Sequence, residues 1–243
     1  MKWLLIVGAK SDIAKAVARE YAKNGFNLYL AGRNISELLE FKKDLEIRYN
    51  IDVILKELDI NDLHKHHSFY ESLNPKPDGV ITAVGYLPDQ KKAEKDLEET
   101  IKTLYANYVG LVCFLNVVAN DFEKRKHGFI VGISSVAGDR GRKKNYIYGS
   151  AKAGFTAYLS GLRNRLHSSN VQVLTVKPGF VYTKMTRGMK LPKLLTGTPE
   201  KVAKDIFKAQ QKGKDILYTK SIWKYIMLII NHIPEFIFKK MDI

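Results

Sequence analysis

The chain has 243 residues, 45% of them hydrophobic, and one cysteine, Cys113. That excludes a disordered chain, a disulfide framework and a cysteine-based zinc site, and it fits a reducing, cytoplasmic compartment. The formal charge is +15, but residues 1–121 hold 16 basic and 18 acidic side chains (net −2) while residues 122–243 hold 24 and 7 (net +17). The second half therefore suggests an anionic partner: nucleic acid, a phosphorylated substrate or a membrane surface. A lysine-rich composition with no binding role would give the same sums, since Lys outnumbers Arg 31 to 9.

In chain order, Lys2–Val7 is a short apolar run that predicts a buried strand. It ends at Gly8 with no cleavage-site pattern, so it does not read as a targeting peptide. Asp12–Asn24 carries Ile13, Val17 and Tyr21 at helical spacing and stops at Gly25. Asn27–Ala31 predicts a strand, Ser36–Tyr49 a charged amphipathic helix and Ile51–Leu58 a further strand. A helix over Asn61–Leu73, closed by Pro75 and Pro77, leads to a buried strand at Gly79–Ala83. A long helical region from Lys91 to Phe122, bent near Asn107, precedes a strand at Phe129–Ser134. Ile147–His167 is a long helix, and Val171–Val176 a strand ended by Pro178-Gly179. Pro199–Gln211 is a helix capped by Thr198, and Ile216–Tyr218 a last short strand. Seven strands alternating with helices imply one α/β domain, residues 1–243, with a Rossmann-like, doubly wound parallel sheet.

The apolar-rich Ser221–Phe238 is interrupted by Lys224, Asn231, His232, Pro234 and Glu235. It reads as an interfacial or core segment, since the uninterrupted run Ile226–Ile230 is far too short to cross a bilayer. The His64, His66, His67 cluster lies on a charged helix without a carboxylate set beyond Asp62, so it reads as a solvated face and no metal is expected.

The chemistry starts at the first strand's end, Gly8-Ala9-Lys10-Ser11-Asp12-Ile13-Ala14. A glycine turn there aims backbone N–H groups of a helix N-terminus at a pyrophosphate. Of three expected glycines only Gly8 is present, and an ordinary strand–helix turn would look similar. After the second strand stands Gly32-Arg33, with no carboxylate for a ribose hydroxyl. Arginine suits a 2′-phosphate, so NADP is favoured over NAD; the alternative is a solvated surface arginine. Asp59 sits near the adenine in this reading, or caps the helix that follows.

Tyr148 and Lys152 are four residues apart and share a helix face. A nearby ammonium favours phenolate, which lowers a tyrosine pKa from about 10 and makes an acid/base usable near neutrality. Ser135, thirteen residues upstream of Tyr148, ends a strand and can bond a substrate carbonyl.

These residues resemble the short-chain dehydrogenase/reductase family, over essentially the whole chain. The matching positions are Gly8, Asn107, Ser135, Tyr148, Lys152 and Pro178-Gly179, while Thr82-Ala83-Val84-Gly85 departs from the family's Asn-Asn-Ala-Gly. The resemblance implies Ser135, Tyr148 and Lys152 as catalytic residues, with Asn107 supporting a water that links Lys152 to solvent. It further implies a cofactor set of Gly8, Lys10, Ser11, Asp12, Ile13, Arg33, Asp59, Gly85, Tyr148, Lys152, Pro178, Gly179, Val181 and Thr183. NADPH would be the hydride donor, and a homo-oligomer, dimer or tetramer, is the expected assembly. More narrowly, the Gly-Ala-x-Ser-Asp-Ile-Ala turn, the segment Gly85-Tyr86-Leu87-Pro88-Asp89-Gln90 and the Ile-Pro-x-x-Ile-Phe-x-Lys ending are similar to the decaprenylphosphoryl-2-keto-erythro-pentose reductase branch. That branch reduces a keto-sugar carried on a polyprenyl phosphate.

The excess charge falls in two places. Arg140, Arg142, Lys143 and Lys144 lie between Ser135 and Tyr148, and Lys184, Arg187, Lys190 and Lys193 lie in a substrate flap over residues 183–198. Arg140, Arg142, Lys184 and Arg187 are the expected substrate-side cations. Met185, Met189, Leu191, Leu194 and Leu195 are interleaved with the flap cations. The mixture suits a phosphate head with a lipid tail, a flap lying on an anionic membrane, or an ordinary solvated flap. The 220–243 segment, apolar and basic, packs on the core, meets another subunit or touches a membrane. Two other functions stay open: a soluble ketoreductase for acyl, steroid or small carbonyl substrates, and a non-catalytic NADP-binding sensor. Nucleic acid is not expected, because lysine predominates and no recognised motif is present.

Overall fold

The computed structural model describes residues 2–242. Among these residues there are nine strands: β1 (Trp3–Val7), β2 (Asn27–Gly32), β3 (Val53–Glu57), β4 (Gly79–Thr82), β5 (Phe129–Ile133), β6 (Gln172–Pro178), β7 (Phe180–Val181), β8 (Thr196–Gly197) and β9 (Ile216–Thr219). The helices are α1 (Asp12–Lys23), α2 (Leu39–Tyr49), α3 (His66–Glu71), α4 (Gln90–Ala93), α5 (Leu97–Leu104), α6 (Gly110–Arg125), α7 (Tyr146–Leu166), α8 (Pro199–Gln211), α9 (Ile222–His232) and α10 (Glu235–Phe238).

Seven strands form one parallel sheet in the order β3-β2-β1-β4-β5-β6-β9, and β7 pairs with β8 apart from it. Helices cover both faces, which is why β1 is an unbroken apolar run with every residue buried. Leu4 and Ile6 meet Val17, Tyr21, Val202 and Ile206 of α1 and α8. Leu5 and Val7, pointing the other way, meet Leu111, Phe114, Phe155 and Leu159 of α6 and α7. The chain winds from β1 out to β3, then returns to place β4 on the other side of β1. A crevice therefore opens at the C-terminal ends of β1 and β4, where open α/β sheets bind ligands.

The expected strands appear at their places, while several helices break where a side chain takes over the backbone. Asp96 accepts from the N–H groups of Glu98 and Glu99 and starts α5 afresh after α4. The bend expected near Asn107 is a π turn over Tyr105–Val109 between α5 and α6. The helix expected from Asn61 is shorter, because Asp59 holds the Asn61 N–H at 3.0 Å and a 3-10 turn, Leu63–Lys65, precedes α3. The β7–β8 pair was not expected; two residues per strand carry no periodicity. Leu97–Arg125 is long and apolar enough to cross a membrane by composition, yet Leu111, Phe114, Leu115 and Val118 pack in the core.

One histidine corrects the expected solvated face. His66 is buried, its Nε2 lies 3.0 Å from the Ile60 carbonyl, and its ring meets Phe114 edge-on. It is the first residue of α3 on the side that carries Phe69 and Tyr70 into the core, and burial holds its pKa below the usual 6.5. Among the described residues, no group of His, Cys, Asp and Glu could hold a metal ion.

Candidate active site

Ser135 follows β5 in extended conformation and caps a 3-10 turn, Val136–Gly138, through its hydroxyl to the Ala137 N–H. That turn lies against the start of α7 because two glycines permit it. A Cβ on Gly138 would lie 2.6 Å from the Lys152 carbonyl carbon, and one on Gly149 would lie 2.9 Å from the Ala137 oxygen. This approach sets the Ser135 hydroxyl beside the Tyr148 phenol, close enough to favour its ionised form. Ser134 adds a second tie: its hydroxyl donates to the Lys152 carbonyl at 3.0 Å and meets Thr156 Oγ1 at 2.7 Å. Sequence reasoning missed Ser134, Gly138 and Gly149; only their place between Ser135 and Lys152 signalled them.

Lys152 is buried, with Nζ donating to the Ile133 carbonyl at 3.3 Å and lying 5.8 Å from the Tyr148 ring centre. Burial pushes its pKa down to about 7. The Tyr148 pKa is pushed up to about 12 by burial, with the Ser135 hydroxyl acting the other way. This corrects the expected acidic phenol: desolvation outweighs a cation that is itself desolvated. At neutral pH Tyr148 holds its proton, as a proton donor should.

Asn107 lies in the π turn and is fully buried. Its amide donates to the carbonyls of Tyr86 at 2.7 Å and Thr103 at 2.8 Å, and its oxygen accepts the Tyr86 N–H at 3.1 Å. Thus Asn107 pins the chain that extends β4, the stretch whose sequence departs from the family's pattern. Gly85 sits between the catalytic groups and the flap: a Cβ there would lie 3.5 Å from Asn107 Oδ1, 3.8 Å from Lys152 Nζ and 3.5 Å from Met185 Cε. Tyr86 is fixed at its other end by a hydrogen bond to the buried Glu99, with Lys102 4.0 Å above its ring.

A cleft of about 760 Å³ occupies the crevice, and Gly8, Lys10, Ser11, Arg33, Asp59 and Gly85 help line it. Gly8 has φ +83°, and a Cβ would come 2.8 Å from the backbone of Ala83 and Val84, so only glycine fits. The Gly8 and Ala9 N–H groups donate to the Ala31 carbonyl, and the Ser11 side chain caps α1. Arg33 is exposed, 3.8 Å from Asp59, and Lys10 pairs with Glu37 at 2.7 Å. Glu57, the carboxylate nearest the end of β2, accepts the N–H groups of Asn34 and Ile35. The rim thus offers two cations to an anion such as a 2′-phosphate. Asp12 turns away, its carboxylate accepting the Lys184 N–H at 2.6 Å, while Ile13 packs against the core.

Val181 is buried in β7, and Thr183 opens the flap in a reciprocal cap with Thr186. Pro178 ends β6, and a Cβ on Gly179 would lie 2.0 Å from the Trp223 indole nitrogen, so glycine is needed for α9 to dock. Lys184 and Arg187 are exposed on the flap. Arg140, expected to face substrate, does something else. It donates to the carbonyls of Ile230 and Ile233 at 2.5 and 2.7 Å, pairs with Glu235 and covers the Phe238 ring. The carbonyls at the end of α9, the negative end of the helix dipole, attract it there. Lys143 and Lys144 pair with Asp242. Arg142 is partly buried, its Nε has no partner, and burial lowers its pKa against the pull of Asp139.

A family model described as short chain dehydrogenase matches residues 2–193. An uncharacterized oxidoreductase of Mycobacterium tuberculosis is 35% identical over 241 residues, covering 98% of this chain and 96% of the relative. An NADP-dependent 3-hydroxy acid dehydrogenase of Schizosaccharomyces pombe is 30% identical over 76% of this chain and 73% of its own. Among solved structures, a short-chain dehydrogenase from Sphingobium yanoikuyae in complex with NADPH superposes with a TM-score of 0.83 at 20% identity, over 97% of each chain. With the Ser135, Tyr148 and Lys152 side chains gathered beside the sheet crevice, the chain belongs to the short-chain dehydrogenase family and is an oxidoreductase of that type.

Proposed function

We propose that the protein is an NADP(H)-dependent reductase that interconverts a carbonyl and a secondary alcohol, with a keto-sugar on a polyprenyl phosphate as its preferred substrate. The observation that carries the reaction is the protonated Tyr148 phenol set beside the Ser135 hydroxyl and a buried Lys152. Gly8, the α1 N-terminus, Lys10 and Arg33 would hold the dinucleotide, with Asp59 at the adenine end; Val181 and Thr183 would meet the nicotinamide. The S. yanoikuyae structure, which contains NADPH, supports that cofactor over NAD, as does the absence of a carboxylate directly after β2. Bound there, the reduced nicotinamide would supply a hydride to the carbonyl carbon.

The protein's own part is the proton. Ser135 donates a hydrogen bond to the carbonyl oxygen, and Tyr148 gives its proton to that oxygen as negative charge develops. Lys152, when protonated, stabilises the phenolate left behind. Asn107 positions Gly85 and Tyr86, which wall the cleft. An intact set of all four argues against a mere sensor.

Support for a phosphorylated, lipid-borne substrate comes from the flap. Lys184 and Arg187 are exposed beside Met185, whose methyl reaches Gly85. Such a substrate would place the enzyme in the cytoplasm, at the inner face of the membrane, and a second copy of the chain completes the proposed assembly. The second reading is a soluble ketoreductase for acyl chains, favoured by the hydroxy-acid relative. The deciding experiment is NADPH and NADH oxidation against polyprenyl-phosphate keto-sugars, 3-oxoacyl thioesters and small ketones. Turnover confined to the last two classes rejects the keto-sugar, and equal use of NADH rejects the role given to Arg33.

A further inference from the structure

α9 is apolar over most of its length, with Lys224, Asn231 and His232 its polar residues. Such a helix is ordinarily buried in a protein core or in lipid, but this one is buried on one side only. Trp223 and Met227, with Ile226 and Ile230 partly covered, pack on Val136 and Leu195. The opposite stripe stays bare: Tyr225 is 63%, Leu228 56% and Ile229 68% exposed, and Phe236 of α10 continues it at 65%. At eleven residues α9 is too short to span a bilayer.

The surroundings are cationic. Lys224, Lys239 and Lys240 are exposed around the stripe, and Lys190 and Lys193 on the adjoining flap. Among the described residues none of these five has a carboxylate partner. The two acids nearby in sequence are already taken, Glu235 by Arg140 and Asp242 by Lys143 and Lys144. A second copy of this chain would bring the same uncompensated charge to the same face, which opposes self-association there. Anionic lipid supplies both the missing negative charge and an apolar layer.

The surface is also wired to the substrate flap. The Trp223 indole donates to the Leu195 carbonyl at 2.9 Å, Lys220 donates to the Leu194 carbonyl at 2.6 Å, and Phe180 meets Trp223 edge-on at 5.2 Å. The far end of the flap, with Phe180 of the strand before it, therefore rests on Lys220 and Trp223, whereas Met185 near the start of the flap reaches Gly85 in the catalytic centre.

We propose that the bare side of α9 and α10, with the basic end of the flap, docks on an anionic lipid bilayer and presents the flap to it. This deepens the reading of a lipid-borne substrate and rests on it only for its purpose, because docking is read without turnover. The test is flotation of the full chain with vesicles of phosphatidylcholine alone, or with about a third phosphatidylglycerol. The expected result is binding to the anionic vesicles only, lost in about 1 M salt, where charges are screened beyond about 3 Å. The triple variant Lys224→Glu, Lys239→Glu, Lys240→Glu should bind about a hundred-fold or more weakly. The double variant Leu228→Ser, Ile229→Ser should lose flotation at low salt while keeping its Tm and NADPH affinity. No flotation of the wild type with anionic vesicles overturns the proposal. So does light scattering in which the double variant drops to a smaller oligomer, since a second copy would then cover this face. Flotation without keto-sugar turnover leaves the docking surface standing and removes only the substrate.

Discussion

The two sides of the site are built by opposite means. On the cofactor and catalytic side, position comes from glycines and buried hydrogen bonds: Gly8, Gly138 and Gly149 admit approaches no Cβ would allow, and Asn107, Ser134 and Lys152 are sealed beneath them. On the flap and C-terminal side, position comes from long side chains reaching across the surface, the half-buried Arg140 to the end of α9 and the exposed Lys143 and Lys144 to Asp242. The first arrangement fixes atoms for a proton transfer. The second ties the C-terminal segment to the loop that follows β5. The +17 of the second half is thus divided, some of it spent on internal clamps and the rest left outward on the flap and α9.

The contrast can be broken most sharply at Tyr148. Tyr148→Phe should lower turnover by at least about a hundred-fold, the ordinary worth of a positioned acid, with NADPH affinity unchanged. Steady-state rates and fluorescence titration check this, and near-normal turnover would refute the assignment. On the opposite side, Arg140→Ala removes three polar contacts and the cover of Phe238. It should cost about 2 kcal/mol locally and speed proteolytic cutting after residue 220 by roughly ten-fold or more, with cofactor binding intact. Equal protection of the C-terminal segment in both proteins would show that the clamp does nothing.

The smallest effect is the one with a sign to work out. Lys152 titrates near 7 when folded and near 10.5 when unfolded. Between those values the unfolded chain carries the extra proton, so stability rises with pH across that window. From pH 7 to 9 the gain should be about 2 kcal/mol, and Lys152→Met should flatten it. Denaturant melts at several pH values decide the matter; identical slopes would mean Lys152 is solvated. In the same sense, kcat/KM for reduction should fall as pH rises through about 7, as the ammonium beside Tyr148 is lost.

Local patterns in the sequence were enough for the sheet, because a strand covered on both faces must be an apolar run, and for pairing Tyr148 with Lys152, because helix geometry ties their spacing to one face; Ser135 was legible from its place at the end of a strand and from the family resemblance. What sequence did not show are partnerships between distant residues. Arg140 and the α9 carbonyls are 90 or more positions apart, and Asp12 and Lys184 are 172 apart. No local rule distinguishes an arginine awaiting a substrate from one closing a helix end. His66 failed for a related reason: its neighbours are charged, and only the packing of α3 on α6 reveals which of three histidines turns inward.

The π turn has a consequence for how the chain tolerates change. Glu99, Thr103, Asn107, Leu111, Leu115 and Ala119 are all buried, a stride of four residues. An uninterrupted α-helix advances about 100° per residue, so that row would creep about 40° at each step and nearly reverse its direction over five. The wider turn at Tyr105–Val109 lies midway along the row and takes back part of the creep, keeping Glu99 and Asn107 toward the cleft while Leu115 faces the sheet. Residue count in that short stretch is therefore a rotational setting. Deleting one residue there would leave both helices intact and swing the carboxamide of Asn107 off the backbone it steadies.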